Sequence, residues 1–469
     1  MAMKTAGWSL AIFFLSGMMP LNGQEGQVSP LQWPIPKPGR EAGTAAAPEI
    51  LIGVRELAGL RKGGLAVPLD VRGAALYEGG HLPGAVPAGP AEEGAGELDR
   101  LRSLLAGLGL TGKETVVLYG GGEGDEELEA MARLFWRLRW AGFTGVRILD
   151  GGLAAWRAAG GSLETGPFRR SPAPADAPGL LHGPPGGTVA VDAAWVAESL
   201  GQAGIELLDV RDTRGWERWE APPTFAAGHI PKALPFDPRA LLSAWPDPAG
   251  IRRRLGTLGP RAGDPVRLDS TFILYAEDAN DPRLGLAYLL LTRAGLDARV
   301  FPGGWREWTA GGTRPTTRIV SAADLATLLK RENPGLDRDR PASGLILFDL
   351  REERDFAIGH LPGAGSLPFS LFVQILEKRV EEGWPGADRT RLPLALYCYG
   401  PECIRSWEAG AQAARLGFRN VLWFRGGIRE WLAAGYPLLD SPLPKASPSA
   451  PAVPAVPEGA SPGRGAARP

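Results

Sequence analysis

The 469-residue sequence predicts an α/β protein of three tandem domains, each a parallel sheet flanked by helices. Three observations lead to this prediction. The chain is too long for one hydrophobic core and fits roughly two to four domains of ordinary size. One ordered set of short motifs occurs three times along it. Within each occurrence, aliphatic runs such as Thr115–Tyr119 alternate with stretches of helical spacing such as Glu126–Trp140, which is typical of a parallel sheet.

The composition is that of a folded globular protein. Apolar residues make up 44% and charged residues 22%, which is too apolar for a disordered chain. The formal net charge is -1 and no long basic run occurs. Nucleic acid and anionic membrane surfaces are therefore not favoured as partners, and small molecules or proteins are expected instead.

The first 23 residues predict a secretory signal peptide. Lys4 precedes an apolar stretch from Trp8 to Met19, and polar residues follow at Asn22. The apolar stretch is too short for a membrane span of about 20 residues. We expect cleavage near Gly23 and an exported protein, periplasmic or secreted, without a stable membrane span afterwards. An uncleaved anchor is the alternative.

Three further segments are rich in Pro, Ala, Gly and Ser, and they bury too little apolar surface to offset the entropy of ordering them. They are interpreted as a flexible linker over residues 24–48, a linker over 163–187 and a disordered tail over 441–469. The predicted domains between them are domain 1 (49–162), domain 2 (188–312) and domain 3 (318–438).

The repeated motifs have the same order in every domain. An apolar run first ends in Asp-x-Arg, at Asp70 and Arg72, Asp209 and Arg211, and Asp349 and Arg351. A Gly-His-apolar-Pro step follows, with His81, His229 and His360. A Gly-Gly-x-x-x-Trp segment closes each unit, at Trp156, Trp308 and Trp431. We expect the histidines to fix turns by hydrogen bonding, rather than to act as general bases, and the Asp–Arg pairs to order loops.

As an ordered set, these motifs resemble those of the rhodanese superfamily, and the resemblance covers roughly residues 49–162, 188–312 and 318–438. Rhodanese domains carry Asp-x-Arg, Gly-His-Ile-Pro-Gly-Ala, a catalytic cysteine loop and Gly-Gly-x-x-x-Trp. In that family the nucleophilic cysteine follows a central strand and opens a loop that leads into a helix. Backbone N–H groups of such a loop, together with the helix N-terminus, stabilise a thiolate or a persulfide.

The resemblance implies a sulfur nucleophile in domain 3 alone. Gly120 stands at the cysteine position of domain 1 and Ala276 at that of domain 2, so neither can form a persulfide. Domain 3 has Cys398, and the candidate catalytic residues are Cys398, Cys403 and Arg405. The other residues predicted to form the substrate-binding loop are Tyr399, Gly400, Pro401, Glu402, Ile404 and Ser406. Arg405 would balance an anionic sulfur and Glu402 would oppose it, while Ser406 is a reasonable helix cap.

The loop of domain 3 departs from the commonest family pattern, Cys-x-x-Gly-x-Arg-Ser. Arg405 lies seven positions after Cys398 instead of five, which resembles a subgroup with Cys-x-Gly-Pro-x-Cys. Cys403 is then either a structural disulfide partner or a thiol that attacks a persulfide on Cys398. A phosphatase is disfavoured because Ile404 stands where Cys-x5-Arg needs arginine. Two cysteines do not fill a four-ligand metal site, and no cofactor is expected.

The leading hypothesis is an exported sulfurtransferase of the thiosulfate sulfurtransferase type. Cys398 takes sulfane sulfur from a small donor, forms a persulfide and passes the sulfur to a thiol or protein acceptor. One alternative is a thiol–disulfide redox protein that uses Cys398 and Cys403. Another is a non-catalytic binding module in which all three domains serve recognition. For Cys398 itself, the alternative is a buried and inert core cysteine.

Overall fold

The computed structural model describes residues 49–88, 114–122, 124–168, 189–211, 223–256, 267–332, 344–384 and 389–440, with residues 331 and 332 described by their backbone only. The predicted signal peptide (1–23), the linker 24–48 and the tail 441–469 lie outside these ranges. Residues 169–187 of the predicted linker 163–187 do so too. Among the helices within the described ranges, none has the length and apolar character that crossing a membrane requires.

Domain 1 has a five-stranded parallel sheet. Its strands are β1 (Leu51–Ile52), β2 (Ala66–Asp70), β3 (Val86–Pro87), β4 (Thr115–Tyr119) and β5 (Val146–Leu149). Its described helices are α1 (Val54–Lys62), α2 (Ala74–Gly79), α3 (Asp125–Trp140) and α4 (Gly152–Ala158). The strand order is β1-β5-β4-β2-β3, which puts β4 at the centre.

Domain 2 repeats this plan with a four-stranded parallel sheet. Its strands are β6 (Ile205–Asp209), β7 (Ala233–Pro235), β8 (Thr271–Tyr275) and β9 (Asp297–Phe301), in the order β7-β6-β8-β9. Its described α-helices are α5 (Ala193–Ser199), α6 (Pro223–Ala227), α7 (Pro248–Leu255), α8 (Pro282–Arg293) and α9 (Gly304–Thr309). Short 3-10 helices cover Pro238–Ala244 and Ala310–Gly312.

Domain 3 has five parallel strands in the same order as domain 1. These are β10 (Thr316–Ile319), β11 (Ile346–Asp349), β12 (Gly365–Ser366), β13 (Leu394–Tyr397) and β14 (Asn420–Phe424), in the order β10-β14-β13-β11-β12. Its described helices are α10 (Ala322–Glu332), α11 (Glu353–Ile358), α12 (Phe369–Glu381), α13 (Arg405–Arg415) and α14 (Gly427–Ala433). The central strand is β13.

Each sheet is covered on both faces, because alternate residues of its central strand belong to different cores. In β13, Leu394 and Leu396 pack with residues of α12 and α13, whereas Ala395 and Tyr397 pack with residues of α10 and α14. A strand buried on both faces needs a continuous apolar run, which is the pattern seen in the sequence. The predicted fold class, three tandem α/β domains with parallel sheets, is confirmed.

Domains 1 and 2 share one core where α3 lies against α8. Helix α8 is buried from Leu284 to Thr292, as expected for a helix that is apolar all round. Gly285 allows the close approach, since a Cβ on it would lie 2.7 Å from the Cα of Arg133 in α3. The buried side chain of Trp407 in α13 belongs to the same core. Domain 3 is therefore joined to this core through the helix that follows its cysteine loop.

Domains 2 and 3 are also joined through their backbones. The amide of His229 donates to the carbonyl of Thr317 at 2.9 Å, and the amide of Thr317 donates to the carbonyl of His229 at 3.0 Å. Thr317 lies in β10, which pairs in parallel with β14 on its other side. The first strand of domain 3 thus connects its sheet to the histidine turn of domain 2.

Candidate active site

The candidate site lies where the central strand of domain 3 ends. All four residues of β13 are buried, and Cys398 follows directly at the carboxyl edge of the sheet. Ligand sites of open parallel α/β sheets are found at this edge. Cys398 is 1% exposed, so it is buried at this edge.

Cys398 and Cys403 form a disulfide. Their Cα atoms are 6.3 Å apart, and the amide of Cys403 donates to the carbonyl of Gly400 at 2.9 Å, which makes a turn between the two cysteines. Cys403 is half-buried, so it is the more exposed partner. The sequence contains no other cysteine, and the described chain therefore has no free thiol. Of the two roles considered for Cys403, the structure shows it paired with Cys398.

The Gly-Gly turn before α14 holds the cysteine loop from the side. The amides of Ile428 and Arg429 donate to the carbonyls of Cys398 and Tyr399 at 3.1 and 3.3 Å. Gly427 has a φ of 56°, and a Cβ there would collide with the carbonyl oxygen of Cys398. Only glycine fits this left-handed, crowded position. Sequence reasoning did not assign Gly427 to the site, although the repeated Gly-Gly pair was the signal.

A buried polar cluster lies beneath the loop. The guanidinium of Arg351 donates to the Asp349 carboxylate at 2.6 Å and to the carbonyl of Gly359 at 2.6 Å. The hydroxyl of Tyr397 also donates to Asp349 at 2.7 Å and accepts the amide of Leu361 at 3.1 Å. Burial, and then the Asp349 charge, raise the pKa of Tyr397 well above its usual range. The cluster fixes the residue just before Cys398.

Tyr397 is a second residue that sequence reasoning missed. The same bonds recur in the other domains, where Tyr119 donates to Asp70 at 2.8 Å and Tyr275 donates to Asp209 at 2.7 Å. A tyrosine directly before the cysteine position in all three repeats was the available signal.

The repeated histidine lies in a turn and bonds to the backbone. His360 Nδ1 lies 3.0 Å from the carbonyl of Phe356, and the two rings stack with centroids 3.8 Å apart. The other domains have the same stack at 3.8 Å, between Tyr77 and His81 and between Phe225 and His229. Each histidine ring thus packs on the aromatic residue one helical turn before it.

The polar side chains around the disulfide pair with neighbouring elements. Arg405 lies 3.3 Å from the carboxylate of Glu352, the residue before α11, and Glu402 lies 2.9 Å from Arg429 of α14. The hydroxyl of Tyr399 donates to Asp355 of α11. Burial and this bond raise the pKa of Tyr399. Arg405, predicted to balance an anionic sulfur, therefore already has a carboxylate partner.

The prediction that Ser406 caps a helix is wrong. Helix α13 begins at Arg405 with Ile404 as its N-cap, so Ser406 lies in the first helical turn. Ser406 is 2% exposed, and its hydroxyl accepts a hydrogen bond from the Trp423 indole at 3.0 Å instead of capping the helix. Pro401 and Glu402 are the exposed residues of the loop.

Carboxylates contact or lie in the corresponding loops of domains 1 and 2. In domain 1 the amide of Gly122 donates to Glu127 at 3.2 Å, and the carboxylate of Glu127 lies where a side chain on Gly120 would point. In domain 2 the Ala276 loop borders a cleft of 510 Å³, lined by Arg239, Glu277, Asp278, Asp281, Pro282, Arg283 and Arg306. Neither loop offers a sulfur nucleophile.

A cysteine loop between the central strand of a parallel sheet and a helix N-terminus, held by a Gly-Gly turn, defines a class of α/β domains with a sulfur site at the strand edge. The chain belongs to the rhodanese-like domain family. The sequence profile of that family matches residues 54–159, 192–311 and 324–434.

Several curated relatives of the chain are sulfurtransferases. The chain is 33% identical, over 58% of its own length and 97% of the relative's, to a candidate thiosulfate sulfurtransferase, SseB, of Mycobacterium tuberculosis. It is 32% identical to a candidate 3-mercaptopyruvate sulfurtransferase of Pseudomonas aeruginosa, over 52% of this chain and 86% of the other. The thiosulfate sulfurtransferase of Azotobacter vinelandii is 29% identical, over 54% and 89%. The prediction of a sulfurtransferase-type enzyme agrees with these relatives.

Solved structures are also similar. The 3-mercaptopyruvate sulfurtransferase SseA of Escherichia coli is 19% identical, with a TM-score of 0.41 over 55% of this chain and 98% of that one.

Proposed function

We propose that the chain is an exported sulfurtransferase that carries sulfane sulfur as a persulfide on Cys398. One observation carries the proposal. Of three equivalent strand ends, occupied by Gly120, Ala276 and Cys398, the third alone offers sulfur. Its loop leads into a helix of eleven residues, whose first amides stabilise an anion. The names of the relatives support sulfur transfer as the reaction.

The reaction begins with reduction of the Cys398–Cys403 disulfide by an external thiol, because a disulfide sulfur is not a nucleophile. The Cys398 thiolate then attacks the sulfane sulfur of a donor such as thiosulfate. A new S–S bond forms on Cys398, the S–S bond of thiosulfate breaks, and sulfite leaves with the bonding electrons. The oxidation states balance in this transfer step, so it needs no reagent besides the donor.

Delivery reverses this step. An acceptor thiolate attacks the outer sulfur of the Cys398 persulfide, which forms an acceptor persulfide and regenerates the Cys398 thiolate. Cys403 competes with the acceptor, since it lies within disulfide distance of Cys398. Its attack on the inner sulfur releases hydrosulfide and restores the disulfide. A loop with two thiols therefore stores transferred sulfur only while Cys403 is protonated or held away.

Mass spectrometry of one peptide tests the proposal. Trypsin cleavage after Arg391 and Arg405 yields residues 392–405, which hold both cysteines. After reduction and then thiosulfate or 3-mercaptopyruvate treatment, we expect this peptide to gain the mass of one sulfur atom. Cys403→Ser should retain the added sulfur longer, and Cys398→Ser should not gain it. A peptide that stays unmodified with every donor would refute sulfur transfer through Cys398.

Export is tested separately. Expression of the full chain should yield a mature protein that begins near residue 24, found outside the cytoplasm. A chain that keeps Met1 and stays in the cytoplasm would refute export while leaving sulfur transfer intact.

The disulfide favours a second candidate function, thiol–disulfide exchange with exported proteins. In this reaction Cys398 attacks a partner disulfide, and Cys403 resolves the mixed disulfide that results. Cys403→Ser should then accumulate mixed disulfides with partner proteins, whereas Cys398→Ser should not. Trapped partners without any persulfide would favour this function over sulfur transfer.

A further inference from the structure

A strained lysine in domain 2 stands where the other two domains have glycine. The Gly-His-apolar-Pro step is followed by Gly84 in domain 1, Lys232 in domain 2 and Gly363 in domain 3. All three have a left-handed backbone, with φ of 69°, 67° and 77°. Among the described residues, Lys232 is the one non-glycine residue with positive φ. Glycine adopts this conformation without steric cost, whereas a residue with a Cβ does not.

The side chain of Lys232 reaches into domain 3. Its ammonium lies over the indole of Trp407, 5.9 Å from the ring centroid. Trp407 is 6% exposed and packs with residues of domains 1 and 2. A cation at this distance from an indole face is attracted by the ring electrons. The strained backbone thus coincides with a contact between domains, which is the pattern expected when strain is retained for a function.

Trp407 lies in the first turn of α13, four residues after Cys403. Ile404, between them, packs against the same core. The last turn of α13 is held as well, since Gly201 of domain 2 lies against Gln412 and Arg415. Helix α13, which follows the cysteine loop, therefore contacts domain 2 at both ends. The contact between Lys232 and Trp407 is the one nearest the cysteines.

We propose that Lys232 is a positioning residue through which cysteine-free domain 2 holds the cysteine loop of domain 3. It acts through Trp407, which fixes the start of α13 and with it the position of Cys403 relative to Cys398. Disulfide formation depends on how closely two thiols are held, so loosening this turn favours the dithiol. The effect on sulfur transfer rests on the proposed function, whereas the effect on the disulfide does not.

The variant Lys232→Gly separates positioning from folding, because it removes the strain and restores the residue of the other repeats. In the full chain, equilibrated in glutathione buffers and alkylated, the fraction of disulfide is read from peptide 392–405. We expect the equilibrium constant to shift about fivefold toward the dithiol, about 1 kcal/mol at 1.4 kcal/mol per factor of ten. The thermal midpoint should stay equal or rise.

Four further variants complete the test. Lys232→Arg keeps the cation and should restore the wild-type equilibrium, whereas Lys232→Met keeps the stem without charge and should behave like Lys232→Gly. Gly84→Lys adds the same strain in domain 1 and should lower the thermal midpoint without moving the disulfide equilibrium. Glu206→Gln removes a carboxylate that interacts with Lys232 and should leave the equilibrium unchanged.

An unchanged disulfide equilibrium in Lys232→Gly overturns the proposal, and so does a wild-type equilibrium in Lys232→Met. These readouts use the two thiols alone. A chain that forms no persulfide but responds to Lys232→Gly would refute the proposed function and support the positioning role. A chain that forms the persulfide but whose disulfide equilibrium is unchanged by Lys232→Gly would support the proposed function and refute the positioning role.

Discussion

His229 makes domain 2 sensitive to acid. Its side chain is fully buried, Nδ1 lies 2.9 Å from the carbonyl of Phe225, and within the described structure Nε2 has no hydrogen-bond partner. Burial lowers the pKa of His229 from 6.5 to about 4, although the Phe225 bond opposes the shift. An imidazolium in this place would be a buried charge with one partner, which is costly.

The sign and size of the effect follow from linkage. The folded pKa is lowered, so between about pH 4 and 6.5 the unfolded state binds more protons than the folded state. The contribution of His229 to the free energy of unfolding is fully present above pH 6.5 and is lost as the pH falls toward 4. At about 1.4 kcal/mol per pKa unit, the whole shift corresponds to about 3 kcal/mol.

The assay compares the free energy of unfolding of the wild type and His229→Gln at several pH values. The variant should be less stable at pH 7, because it loses the stacked ring. Its free energy of unfolding should, however, fall less steeply than that of the wild type between pH 6.5 and 4.5. Three domains need not unfold together, so hydrogen exchange of the Thr317 amide, which donates to the carbonyl of His229, gives a local readout. Parallel curves for the two proteins would refute the reasoning.

Three further substitutions test the packing around the site, each by urea unfolding. Tyr397→Phe removes a hydroxyl with two buried partners and should cost about 1–3 kcal/mol; an unchanged midpoint would contradict the cluster. Gly427→Ala should cost about 2 kcal/mol or more through strain and collision, whereas Gly435→Ala, equally left-handed but unobstructed, should cost about 1; equal losses would refute the collision. Gly285→Ala should cost about 1–3 kcal/mol by separating two packed helices, whereas exposed Gly59→Ala should gain about 0.5; a stabilised Gly285→Ala would disprove the close contact.

Much of the fold could be predicted because its strands are buried on both faces. The aliphatic run Thr115–Tyr119 is strand β4 with the same limits, and the helical stretch from Glu126 to Trp140 is α3 with one residue added at its start. A continuous apolar run bounded by glycines leaves little choice of structure, and three copies of one pattern reinforce each prediction.

The site was less predictable where it depends on contacts distant in sequence. The extra residues between Cys398 and Arg405 form a turn closed by the Cys403 amide, so α13 begins before Ser406 and needs no side-chain cap. Nothing in the local sequence distinguishes the ring of Tyr397, which bonds a carboxylate across the sheet, from a buried apolar ring. The contact between Lys232 and Trp407 joins two domains and has no local sequence signal.

The carboxylate of Glu127, which reaches from helix α3 into the loop of domain 1, limits how that domain can change. A thiol introduced at residue 120 would face this negative charge, which raises a thiol pKa and repels anionic sulfur donors. A cysteine at residue 120 alone therefore does not give a reactive sulfur. Both residue 120 and Glu127 would have to change before domain 1 could carry sulfur chemistry.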